Sequence, residues 1–176
     1  ETVIISIPFA QSKKLLKKFL PNFFKNKKVK MEANITVMTV TNKIKNNFSS
    51  FLFNDEVIGW AAKENSKNRF KHKYDLWTIQ STFKWANKNI LKYKSNKKRF
   101  TNFLINRFKK LSKINVNKIY FTNIHGWLYS ANKKNLEIQS FWSNSLKVGI
   151  CGDWFGGPRY ENGWISASDL YKKMTN

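Results

Sequence analysis

Apolar and polar positions alternate over several stretches of the chain, and the period shifts from two to about 3.6 at identifiable places. The β-branched run Val3, Ile4, Ile5 and Ile7 predicts a buried strand that Pro8 ends. Ser12 then suits the N-cap of a helix over 13–20, whose Leu15, Leu16, Phe19 and Leu20 share one face between lysines. Residues 22–30 read as a loop. Over 33–40, Ile35, Val37 and Thr39 alternate with Asn34, Thr36 and Met38, which predicts a strand with one wetter face. After a polar stretch over 41–47, residues 51–53 and 57–62 read as a hairpin around Asn54, Asp55 and Glu56, and 63–73 as a basic loop.

Residues 74–81 alternate again, with Leu76, Thr78 and Gln80 opposite Trp77, Ile79 and Ser81. The strongest helical pattern covers 97–113, where Phe100, Phe103, Leu104, Phe108 and Leu111 recur at helical spacing before a basic last turn that suits the helix dipole. A strand over 116–124 leads into His125-Gly126-Trp127. A short strand over 147–151, a loop over 152–158 and helical spacing from Arg159 through Trp164, Ala167, Ser168 and Tyr171 complete the chain. Of seven glycines only Gly59 precedes position 126, whereas Gly149, Gly152, Gly156 and Gly157 crowd together. A strand, a Gly-rich loop and a helix in that order bring N–H groups and a positive dipole end toward one spot, as an anion or carbonyl-oxygen site needs, and Glu161 in the first turn suits the dipole. The spacing is neither G-x-G-x-x-G nor a P-loop, and a tight connection that needs Gly only for sterics would give the same pattern.

Composition narrows the class. With 15 Phe, 7 Trp and 6 Tyr in 176 residues there is apolar area enough for one compact domain, and the profile is not that of a disordered chain. One Cys allows no internal disulfide, and two His with one Cys make no convincing metal site, which together point to a reducing, cytoplasmic setting. No apolar run is long enough to span a membrane. The formal charge of +23 draws attention to nucleic acid, but only Arg69, Arg99, Arg107 and Arg159 among 33 basic residues are arginines. The joint excess of Lys, Asn, Ile and Phe is what AT-rich codons give an ordinary surface, so the charge argues for solubility and steering rather than for nucleic acid or a membrane surface. The chain has no initiator Met and opens directly on a strand, so it reads as a piece of a longer protein.

The stretch GDWFGGPRYENGWISASDL resembles the C-terminal flavin-contacting segment of the FAD-dependent amine oxidase and renalase-like oxidoreductases, roughly G-D-x-x-x-G-x-R-V-E-G-A-x-x-S-G. Three further segments agree in order: VIISIPFAQSKKLL with the strand and Pro-containing turn that return past the flavin, IGWAAKENSKNR and WTIQSTFKWANKNI with Trp-containing segments of the substrate domain, and HGWLYS with H-R-W-x-Y-A. The resemblance implies a mixed α/β (α+β) fold with an antiparallel-rich sheet and helices on one face. It divides the chain into a substrate-binding-domain-like region over 1–146, in which 1–10 is the returning strand, and a C-terminal FAD-contacting strand, loop and helix over 147–176. It implies contacts to FAD from Pro8, Gly152, Asp153, Trp154, Arg159, Tyr160, Glu161 and Asn162, with Gly152 and Asp153 toward the ribityl-phosphate portion and the backbone at 160–162 toward the flavin carbonyl. It also implies hydride transfer from a small-molecule substrate, an amine or reduced nicotinamide (NAD(P)H), to flavin N5. The sequence departs from the pattern at Tyr160, Asn162, Gly163 and Ala167, and at Gly126, where the family's Arg would bring a charge to the substrate pocket. The Gly-rich motif that holds the ADP half of FAD does not occur among these residues, so the chain alone is expected to bind FAD poorly.

Trp60, Trp77, Trp85, Trp127 and Tyr129, with His125, are candidates for an aromatic substrate pocket, although each also suits plain core packing. A Ser166, His125 and Asp153 hydrolase triad lacks the G-x-S-x-G elbow. Cys151 reads as a small buried residue and His72 as a solvated one. No side chain is assigned as an acid or base. The rival readings are a non-catalytic basic module for nucleic acid or an acidic partner, and an inert fragment.

Overall fold

The computed structural model describes all residues except Asn26, Asn46, Asn47, Phe70, Lys71, Asn135 and Pro158. The chain is mixed α/β and forms two compact units, 1–32 with 129–176, and 33–128. The first and last segments of the chain thus belong to one unit.

The first unit holds β1 (Val3–Ile5), α1 (Phe9–Leu16), the short α2 (Pro21–Lys25), β7 (Phe141–Ser143), β8 (Val148–Ile150) and α5 (Glu161–Thr175). Its three-stranded sheet has the order β1-β8-β7, with β1 and β8 parallel and β8 and β7 antiparallel. Phe9, Leu16, Leu20, Phe23, Phe24, Ile150, Trp154 and Phe155 form its core. The expected buried opening strand is an edge strand instead: it has one neighbour, and Val3 and Ile4 are 51% and 53% exposed. α1 starts three residues before the expected cap. Pro8, which lacks an N–H to lose, begins it, and Ser12 sits inside the helix, fully buried, with Oγ donating to the Ile7 carbonyl at 2.9 Å. Pro21 likewise begins α2 within the expected loop.

The second unit is built on a five-stranded sheet of order β3-β4-β5-β2-β6, from β2 (Met31–Thr41), β3 (Ser50–Leu52), β4 (Ile58–Lys63), β5 (Asp75–Ser81) and β6 (Ile119–Asn132). The pairs β3/β4, β4/β5 and β2/β5 are antiparallel. β2 and β6 each run across the boundary between the units. α4 (Lys97–Ser112) packs on β4 and β5, and α3 (Phe83–Asn89) precedes it. The core gathers Ile35, Val37, Ile58, Ala61, Trp77 and Ile79 from the sheet with Leu104, Ile105 and Phe108 from α4. The face of β2 expected to be wetter is wet only at Met38, which is 41% exposed, because Asn34 and Thr36 are buried as well as Ile35 and Val37. Asn34 is satisfied there, with Nδ2 donating to the Ser81 carbonyl at 2.9 Å and Oδ1 accepting from Thr36 Oγ1 at 2.8 Å. The α3 helix is absent from the sequence reading. Thr82 caps it, with Oγ1 accepting from the Trp85 N–H at 3.2 Å.

Candidate functional site

In the first unit the parallel register Val3↔Val148, Ile4↔Gly149 and Ile5↔Ile150 makes both strands end at the same side of the sheet. β1 leads into Pro8 and the start of α1. β8 leads through Cys151 and Gly152 into a 3-10 turn at Asp153–Phe155 and then to α5. Connections that leave a parallel pair together at its carboxyl ends form the usual ligand crevice of α/β sheets.

Two hydrogen bonds lock the two connections to one another, and a third braces the turn after β1. The Cys151 N–H donates to the Ile5 carbonyl at 3.1 Å, Trp154 Nε1 donates to the Ile7 carbonyl at 3.1 Å, and Ser12 Oγ donates to that same carbonyl. Ser166, on α5 and fully buried, accepts from the Gly152 N–H at 2.9 Å and donates to the Gln139 carbonyl at 2.6 Å. Gly152 has φ +151°, and a Cβ there would lie 2.8 Å from the Trp154 indole nitrogen, so this turn takes only glycine.

The residues expected to meet FAD divide into two sets. Trp154 is a core side chain, 1% exposed, stacked on Phe155 with ring centroids 3.9 Å apart and its only donor spent on Ile7. It shapes the loop and has no surface to offer a ligand. Asn162 folds back onto the loop, its Nδ2 donating to the Gly157 carbonyl at 3.3 Å and its own N–H to the Arg159 carbonyl at 3.1 Å, so its amide is committed within the chain. Asp153 is half-buried. Its main-chain carbonyl accepts the N–H groups of Gly156 and Gly157 at 3.0 Å each, while its carboxylate takes no hydrogen bond from the described residues. Arg159, Tyr160 and Glu161 are exposed, and Tyr160 begins α5 without a side-chain cap. Pro8 is half-buried at the start of α1. Pro158 lies outside the described residues.

The loop offers one acceptor, the half-buried Asp153 carboxylate, beside the start of α5. A carboxylate with free lone pairs accepts from hydroxyl groups, and the start of α5, which has no side-chain cap, favours partial negative charge. Cys151 is buried, which pushes its thiol pKa up and leaves it inert. Ser166, with its hydroxyl proton held by Gln139, is not a nucleophile.

In the second unit the substrate-pocket candidates fall on two sides of the sheet. Register pairs Trp60 with Gln80, and Gln80 with Thr36, opposite in direction to Ala61, Ile79 and Val37, which meet the helices. A Cβ on Gly126 would strike Tyr93 Cε1 at 2.4 Å and Ile90 Cδ1 at 2.7 Å, so position 126 faces the helical layer. His125 and Trp127 flank it and therefore project to the other face, which is the face of Trp60. Their rings lie 4.4 Å apart, and Trp127 is 53% exposed. β5 and β2 stand between β4 and β6, which puts Trp60 about 14 Å from the His125–Trp127 pair at the usual strand spacing. Trp85 does not join them: it lies on α3 with Phe100 and Phe103, in the helical layer. Trp77 is core. The same geometry corrects the expectation about Gly126, because an Arg at 126 would enter the helical layer and bring no charge to the face that carries His125.

Sequence reasoning took Ser12 for a helix cap and met Ser166 only in a hydrolase triad it set aside; Ser12 instead bonds the Ile7 carbonyl, and Ser166 ties Gly152 to Gln139 through partners 14 and 27 positions away, which leave no local pattern. Among the described residues no three His, Cys, Asp or Glu side chains gather where a metal could bind, and no helix is long and apolar enough to cross a membrane. No protein-family model matches the chain.

Proposed function

We propose that the chain is the substrate-binding portion and the C-terminal flavin-facing portion of an FAD-dependent oxidoreductase resembling the amine oxidases and renalase-like enzymes. The observation that carries this reading is the parallel pairing of β1 with β8. It brings together the two segments that resemble the family's returning strand and its C-terminal loop, although the paired Ile5 and Ile150 lie 145 positions apart in sequence. The grouping of 1–32 with 129–176 supports it as well, since the intervening 33–128 then corresponds to an inserted substrate domain.

When bound, FAD supplies the acceptor for a hydride given up by a small amine or a reduced nicotinamide. The chain's contribution is position and field. The Asp153 carboxylate would accept from the ribityl hydroxyls, and the start of α5 would favour negative charge at the reduced ring. Trp60, His125 and Trp127 would offer aromatic surface to a substrate. The ADP half would be held by residues outside this sequence.

The test is flavin retention by the protein expressed from the complete reading frame that contains these residues. The purified protein carries flavin absorption, and Asp153→Ala lowers flavin affinity by about tenfold, the loss of a charge-assisted hydrogen bond, with an unchanged unfolding temperature. A complete protein that never takes up flavin overturns the reading.

A further inference from the structure

A groove of about 640 Å³ opens on the helical side of the second unit, lined by Trp85, Asn89, Lys92, Asn96, Arg99 and Phe103 with Ser95 and Phe100. We propose that it binds a small ligand that joins a planar ring to a phosphate, of the nucleoside monophosphate class. The inference stands apart from the flavin reading, because the groove shares neither loop nor sheet face with it.

One wall is aromatic. The Trp85 and Phe103 rings lie nearly parallel, 14° apart with centroids at 5.8 Å, and Phe100 meets Trp85 edge-on. Phe103 remains 46% exposed, an unusual place for a phenyl ring on a helix otherwise lined with lysines. Rings so placed offer a flat surface on which a planar heterocycle stacks without sequence-like specificity.

The other wall is cationic and has no acid. Lys92 and Arg99 line it, and neither makes an ion pair with a described residue. Arg99 stands in the first turn of α4, a helix of 16 residues that begins with Lys97, Lys98 and Arg99 and has no acidic residue there. Cations at a helix N-terminus oppose its dipole, so this turn is destabilised unless an anion sits against it. Asn96 accepts the Arg99 N–H at 3.3 Å and so keeps the helix end at the groove. A planar guanidinium, an ammonium and a helix N-terminus together match a phosphate dianion, and the fork of Arg gives it two parallel contacts. The volume is within the range of pockets that hold ligands of nucleotide size.

Calorimetric titration of the chain with 5′-AMP, adenosine and inorganic phosphate tests the proposal. AMP binds at least about tenfold more tightly than adenosine or phosphate, because only it engages both walls. Arg99→Met abolishes the advantage of AMP over adenosine and leaves adenosine binding unchanged. Phe103→Ala weakens AMP and adenosine alike, by about fivefold or more. Both residues are exposed, so the variants fold, and Lys92→Gln gives a second reading of the cationic wall. The proposal is overturned if AMP binds no better than phosphate, if Arg99→Met and Phe103→Ala leave AMP binding intact, or if a single-stranded oligonucleotide binds tightly while AMP does not.

Discussion

The indole nitrogen of Trp154 donates to the main-chain carbonyl of Ile7 at 3.1 Å, tying the loop after β8 to the turn after β1 across 147 positions of sequence. The same carbonyl accepts from Ser12, so one oxygen fixes two connections and the start of α1. Trp154→Phe removes the indole N–H and part of a buried ring, and leaves the partly buried Ile7 carbonyl with a single donor. It lowers stability by about 1–3 kcal/mol in urea unfolding. Ser12→Ala lowers it by about 1 kcal/mol, and the double variant loses more than the sum because the carbonyl then has neither partner.

Acid titrates the hairpin of β3 and β4. The Arg107 guanidinium bonded to Asp55 lowers the carboxyl to about 2 from 3.8, helped by the N–H groups of Val57 and Ile58, which donate to it at 3.0 Å each. A carboxyl depressed in the folded state stabilises above its unfolded pKa, and that contribution is lost as pH falls through the folded value. Wild-type stability therefore drops between about pH 4 and pH 2 in part through Asp55. Asp55→Asn flattens that part of the slope, which chemical unfolding at stepped pH measures; a slope equal to that of wild type would deny the linkage.

Lys63 and Asp75 form a pair whose carboxylate is 1% exposed, with Nζ 2.9 Å from Oδ2. Oδ2 also accepts the Ile44 N–H at 2.9 Å, whereas the buried Oδ1 has no partner. Removing the cation leaves a buried charge with one hydrogen bond. Lys63→Met costs about 3 kcal/mol, and the double variant Lys63→Met, Asp75→Asn recovers part of it.

Gly126 lies against Tyr93, whose hydroxyl accepts its N–H at 3.0 Å. Gly126→Ala overpacks that contact and destabilises by about 1–3 kcal/mol. Gly126→Arg, the residue of the resembled family, is worse than Ala, so the unfolding temperatures rank wild type, Ala, Arg.

Strong periodicity was legible. β5 and α4 fall within a residue of the stretches read from pattern, because each has one face against the same core. The hairpin is right to a residue for a similar reason, and Asp55 supplies its turn through side-chain acceptance rather than through a Gly signature. β6 continues eight residues past the expected end, through His125 and Gly126, since Gly126 reads as a breaker in sequence but is required by Tyr93 in space. Amphipathic spacing could not show that β1 is exposed, because a β-branched run fits an edge as well as a core. For the candidate site, the crowding of glycines located the loop, and Gly152 is required there. The inward turn of Trp154 and the split of Trp85 from His125 are tertiary facts with no local cue. Arg99 was visible as one of four arginines, but its groove depends on α3, which sequence reasoning did not find.

The central claim is that the connections after β1 and β8 face a flavin. Amide hydrogen exchange of the complete protein, with and without FAD, tests it directly. The account predicts that FAD slows exchange at the amides around Asp153, Gly156, Tyr160 and Glu161 and at the turn before α1. FAD that binds while leaving those amides unchanged would contradict it.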